Sequence, residues 1–185
     1  MTRLVLALSL ALLPTAAFAH GLDATGGGLV AGFVHPFLGL DHLLAMVAVG
    51  LWAAQQGGRA IWLVPLSFMG AMMLGGVASL AGIAVPAVEP GTLGSVLILG
   101  AVVALGPRLP VQLPMLVVGI FALAHGYAHG TEMPEAAHPA LYALGFLAAT
   151  GALHALGVAA GRFGPTALRL AGAAIALGGV ALAVA

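Results

Sequence analysis

The sequence predicts an all-α fold: a polytopic membrane bundle of six transmembrane helices behind a cleavable signal peptide. Three observations carry that expectation. Of the residues, 62% are hydrophobic and only 5% are charged. Apolar stretches recur six times, separated by Gly, Pro and the few charges. Those charges then sort by side once the stretches are laid out. A soluble domain carries roughly a quarter charged residues, so too little polar surface is present to coat a globule in water, and a soluble enzyme or binding module is excluded. The 185 residues suffice for about six spans at roughly 20 residues each. Net charge is zero and there is no basic cluster, so the expected partner is the lipid bilayer and not nucleic acid.

Two absences narrow the chemistry. Without Cys there is no disulfide, thiolate metal site, iron–sulfur cluster or thiol nucleophile. Every basic residue besides His is Arg, which removes the lysine of a phosphate-binding loop and with it ATP hydrolysis on this chain. No prosthetic group is expected. Functional atoms must come from seven His, five acids and a few hydroxyls.

In chain order, Arg3 forms a short positive region, Leu4 to Leu13 an apolar core, and Ala17-Phe18-Ala19 an A-x-A cleavage site, the pattern of a secretory signal. Residues 1–19 are therefore expected to be removed, leaving His20 outside the cytoplasm at the head of a single domain, 20–185. The spans are expected near Leu29–Ala54, Ala60–Ile83, Thr92–Leu105, Val111–Gly130, Pro139–Ala160 and Thr166–Ala185. With the mature N-terminus outside, the cytoplasmic side holds Arg59, Arg108, Arg162 and, at the start of the sixth span, Arg169, and external segments hold Asp23, Glu89, Glu132 and Glu135, as the positive-inside rule asks. Trp52, Trp62, Tyr127 and Tyr142 fall near span ends, where interfacial aromatics sit. Glycines four apart, such as Gly126 and Gly130 or Gly157 and Gly161, let helices approach closely in lipid.

An ionisable group inside a span is costly and usually faces the bundle interior in a functional role. The first span contains His35-Pro36-Phe37-Leu38-Gly39-Leu40-Asp41-His42. His35 and His42 are seven apart, nearly on one helix face, while Pro36 and Gly39 predict a kink or local unwinding that turns Asp41 toward the same cavity. The fourth span ends with His125-Gly126-Tyr127-Ala128-His129-Gly130-Thr131-Glu132, placing His125, His129 and Glu132 on one face at a spacing able to chelate one ion. Four imidazoles and two carboxylates suit Ni²⁺, Co²⁺ or Zn²⁺ rather than Cu⁺. The candidate metal ligands are thus His35, Asp41, His42, His125, His129 and Glu132. At about 1.5 Å per residue, His35 lies about 9 Å and His42 about 20 Å below the outer start of the first span. The donors are therefore expected to descend from the outer rim to the midplane, as transport needs, whereas a structural ion needs one closed shell. His154 stands alone in the fifth span, His138 reads as a loop residue, and His20 could contribute its imidazole and α-amine once the signal is gone. Six spans also divide three plus three, with one His motif on the first helix of each half, an arrangement common where inverted repeats meet in secondary transporters.

On these residues the chain resembles the HupE/UreJ family of nickel (and cobalt) permeases, found beside hydrogenase or urease genes. The family's first-span pattern, His, five residues, then Asp-His, is met by His35, Asp41 and His42. Its later pattern, Phe-His-Gly-x-Ala/Val-His-Gly-x-Glu, is met by His125, Gly126, Ala128, His129, Gly130 and Glu132, with Ala124 where Phe is usual. The resemblance implies a secondary transporter that imports Ni²⁺ or Co²⁺ across the bacterial cytoplasmic (inner) membrane, with both termini periplasmic. The metal is then cargo, linked indirectly to hydrogenase or urease maturation, and a homo-oligomer is compatible with such a role. Other classes compete. An intramembrane metalloenzyme would use His125 and His129, but Gly126 occupies the place of the general base in H-E-x-x-H, so the chain is not read as an enzyme. A bis-His haem carrier and a metal-binding accessory protein that does not transport complete the alternatives.

Overall fold

The computed structural model describes residues 27–135 and 137–184. The expected signal segment, its cleavage point after Ala19, His20 and Asp23 lie outside the described residues. Among these residues every regular element is helical: α1 (Gly27–Val34), a 3-10 turn (His35–Phe37), α2 (Leu40–Gln56), α3 (Ala60–Leu80), α4 (Val88–Leu105), α5 (Gln112–Thr131), α6 (Pro139–Ala159), a 3-10 turn (Ala160–Phe163) and α7 (Gly164–Ala183). Helices α3, α4 and α5 are each long and apolar enough to cross a membrane, and α1 with α2 forms a bent fifth candidate beside the continuous run Pro139–Ala183. That run has 45 residues, which at about 1.5 Å each is roughly twice the thickness of a hydrocarbon core. It reverses at its 3-10 turn, where Gly164 takes a φ of +85°.

Close approaches at glycines define the direction of each packed pair. Gly28 meets His138, Gly32 meets Tyr142 and Gly50 meets His154, so the bent α1–α2 segment advances along α6 in the same sense as that helix. Gly126 meets Met72 and Gly130 meets Ser79, so α3 runs parallel to α5. Gly106 meets Arg169, Gly100 meets Ala176 and Gly179 meets Leu97, so α4 and α7 are antiparallel. Six alternating crossings, numbered along the chain, require these three directions. Exchanging the first span with the fourth, the second with the fifth and the third with the sixth interchanges these pairs. The lesser contacts do not follow: α2 packs on α3 and α4, while α5 makes no comparable contact with α6 or α7 among the described residues.

The bundle exposes large apolar side chains and sets a few polar ones inside an apolar core. Trp62, Leu74, Leu105, Leu170 and Leu177 are exposed, while His42, Thr92, Ser95, His125, His129, Thr150 and His154 are buried. In water that arrangement would be unstable; in lipid it is the expected one. The arginine-bearing ends coincide: Arg59 precedes α3, Arg108 lies between α4 and α5, Arg162 lies in the turn after α6, and Arg169 packs on Gly106. Glu89 opens α4 at the opposite end, where Glu132 and Glu135 follow α5.

Three expectations are corrected. The third helix begins at Val88, not Thr92, because Pro90 falls in the first turn, where a missing N–H breaks no bond. Trp52 is 1% exposed, not interfacial, because α2 is the central helix and packs on α3, α4, α6 and α7. Tyr142 is likewise buried, with its ring 5.9 Å from that of His35.

Candidate metal centre

The first span breaks where Pro36 and Gly39 predict. Pro36 has no N–H for the Gly32 carbonyl, so α1 tightens into the 3-10 turn, closed by the Leu38 N–H donating to the His35 carbonyl at 3.0 Å. Gly39 is extended (φ −100°, ψ 119°) and its carbonyl accepts from Leu43 N–H at 3.0 Å, starting α2. The axes on either side of the break differ by 81°. Asp41 and His42 therefore occupy the first turn of α2, where a carboxylate opposes the positive end of the helix dipole.

The bend changes the arrangement expected from a continuous helix. His35 and His42 do not lie at successive depths on one face; the chain folds them together, and with His129 and Glu132 they offer four ligand atoms all within 4.8 Å of one another. The expected descending series is replaced, for these four, by a compact shell. The ring of His129 lies 4.2 Å from that of His42 and 4.9 Å from that of His35. His35 Nε2 is 3.0 Å from Glu132 Oε2, which is also 3.8 Å from His129 Nδ1. Donors in a tetrahedral shell with bonds of about 2.1 Å stand about 3.4 Å apart, so closure requires inward movements of about an ångström or less.

Gly126 and Gly130 explain how α5 presents its histidines. A Cβ on Gly126 would collide with the Met72 carbonyl, and one on Gly130 with Ser79. These faces press against α3, and His125 and His129 are turned toward α2. Both ring nitrogens of His129 and of His42 are buried without a hydrogen-bond partner. Asp41 Oδ1 approaches His42 Nδ1 to 2.9 Å but is not aligned as a hydrogen bond. The side chain of Glu132 is 50% exposed and those of His42 and His129 are 9% and 5%, so the shell opens toward the glutamate end and closes inward.

Two of the six residues expected as ligands stand beside this shell. Asp41 adjoins through His42. His125 is fully buried with its ring 5.0 Å from that of His42, but its Nε2 lies 2.8 Å from Ser95 Oγ. The Ser95 hydroxyl donates to the Thr92 carbonyl, so it accepts from His125, whose proton is then on Nε2. That leaves the lone pair on Nδ1, which is buried without a partner. The spacing of His125, His129 and Glu132 on one helix does not by itself assemble a chelate; the fourth span contributes its last two donors to a shell completed by the first. His138 caps α6 as a loop residue, and His154 is buried elsewhere in the bundle.

Sequence reasoning missed three residues. Ser95 fixes the tautomer of His125, Phe146 covers His129 at 3.9 Å between centroids, and Phe68 stands 5.8 Å from the ring of His125. A hydroxyl pair Thr92-x-x-Ser95 inside an apolar span was the available signal for the first; nothing distinguishes the two phenylalanines from lipid-facing ones.

Two carboxylates, Asp41 and Glu132, could balance the charge of a divalent cation, and imidazole with carboxylate is a donor set that suits borderline metals. The protein family described as HupE / UreJ protein matches residues 8–182. Protein HupE of Rhizobium leguminosarum bv. viciae is 48% identical over 178 residues, 93% of this chain and 92% of that protein. No solved structure matches the chain. With the match running through both histidine-bearing spans and nearly every residue between the ends, the chain belongs to the HupE/UreJ family.

Proposed function

We propose that the chain is a secondary permease that carries Ni²⁺, or Co²⁺, inward across the bacterial cytoplasmic membrane to supply a metalloenzyme such as a hydrogenase or urease. The observation that carries this reading is the four-donor shell, His35, His42, His129 and Glu132, built inside an apolar bundle from two spans that are not neighbours in sequence. Ionisable groups held in lipid serve a passing or resident ion, and broken helices are where secondary transporters keep their sites. Residues 1–19 are read as a cleaved leader, both termini as periplasmic and the arginine end as cytoplasmic.

The half-exposed Glu132 takes the hydrated ion at the glutamate end, exchanging its contact with His35 for one with metal. His129, His35 and His42 then replace water from the buried side, with Asp41 adding the second negative charge. His125, oriented by Ser95, presents Nδ1 one helical turn deeper as the next donor. Imidazole binds metal only when neutral, so protons compete with the ion at every step.

The compactness of the shell favours a second reading, a resident ion held without passage. Flux and binding separate the two. Protein in liposomes should admit Ni²⁺ to a dye inside, with His42→Ala abolishing that entry; stoichiometric binding without flux would leave only the accessory role.

A further inference from the structure

Deeper in the bundle, His154 of α6 is 2% exposed and neither of its ring nitrogens has a hydrogen-bond partner. Thr150, one turn earlier on the same helix face, is 0% exposed and its hydroxyl is also unpaired. A neutral imidazole carries one donor and one acceptor, and buried polar groups in folded proteins are nearly always partnered. Three unpaired polar atoms on two adjacent side chains mark a place where a polar guest belongs.

The position of this pair gives the guest its identity. Phe68 of α3 lies 5.8 Å from the ring of His125 and 5.2 Å from that of His154, so it stands between the donor cluster and His154. The His154 backbone packs on Gly50 of α2, eight residues and so about 12 Å along that helix from His42, on the arginine side. We propose that His154 and Thr150 form a second station for the divalent ion, beyond Phe68 on the way to the arginine end. One imidazole nitrogen and one hydroxyl make only a partial coordination sphere. Such a station holds an ion weakly, which suits a point of departure rather than capture. The inference rests on the permease reading and extends it.

The test uses the full chain in detergent and in liposomes, with Co²⁺ as the optical probe for binding and Ni²⁺ for flux. The wild type should bind one Co²⁺ tightly and a second weakly. His154→Leu should lose the weak equivalent, keep the spectrum and affinity of the tight one, and carry Ni²⁺ about tenfold more slowly. Thr150→Val matches the volume of threonine and keeps the fold testable where the histidine variant fails to insert; it should weaken the second equivalent and slow flux in the same sense. Equal flux and an unchanged second equivalent in both variants would overturn the station while leaving the permease reading intact. A wild type that binds Co²⁺ yet moves no Ni²⁺ overturns the permease reading and this inference with it.

Discussion

Replacing His42 by Ala separates function from folding. In the shell, His42 is one of four donors within 4.8 Å. Loss of a group that merely orients a ligand costs about 10–100-fold in affinity, and a donor itself belongs at or beyond the upper limit: about 100-fold, equivalent to about 2.7 kcal/mol. Folding should barely respond. The substitution loses the 2.9 Å contact of His42 with Asp41, but both ring nitrogens are buried without an aligned hydrogen-bond partner, so it also relieves a penalty of about 1–3 kcal/mol per unsatisfied group. That relief offsets the small void left by the ring, and the metal-free protein should keep its stability to within about 1 kcal/mol. Calorimetric titration with Ni²⁺ and thermal unfolding in detergent, run on the same preparation, check both halves. Wild-type affinity and flux in a folded, inserted His42→Ala protein would refute the reasoning.

Other substitutions probe the same structure from different sides. Glu132→Gln keeps a polar contact for His35 but removes one of the two negative charges, and affinity should fall about tenfold or more, measured by equilibrium dialysis. Ser95→Ala leaves the buried His125 Nε2–H without its acceptor; a stability loss of about 1–3 kcal/mol should appear in denaturant or thermal unfolding, together with slower flux. Gly126→Ala drives a Cβ into the Met72 carbonyl and should destabilise the α3–α5 pair by about 1–3 kcal/mol, visible as a lower yield of monodisperse protein. Uptake measured in progressively more acidic buffers should decline, because binding requires deprotonated imidazoles and each proton gained opposes the ion; a flat profile would show that the histidines do not bear the load.

Hydropathy and the punctuation by Gly and Pro made the helices legible to within a few residues at most ends, because lipid demands long apolar runs and the breakers have few other places to sit. Pro36 and Gly39 also announced the break in the first span. Its size was not legible. A bend of 81° depends on how α1 packs along α6 at Gly32 and Gly145, a contact between distant parts of the chain that local spacing does not encode. The same missing information turned an expected ladder into a compact shell. Trp52 illustrates a different limit: a tryptophan beside a charged loop reads as interfacial until the helix carrying it proves to be surrounded. The Thr92-x-x-Ser95 pair was a weak signal for Ser95, because a hydroxyl on an apolar helix ordinarily bonds to its own backbone, and Ser95 does so while also meeting His125.

His35 and His42 belong to the first three-span half of the chain, His129 and Glu132 to the second. On the permease reading, an ion seated among them would tie the two halves together at that end, beside the His35–Glu132 contact. Rocking that parted the halves would then divide its ligands two and two, so unlocking the bundle and letting go of the ion would be a single event, needing no separate trigger.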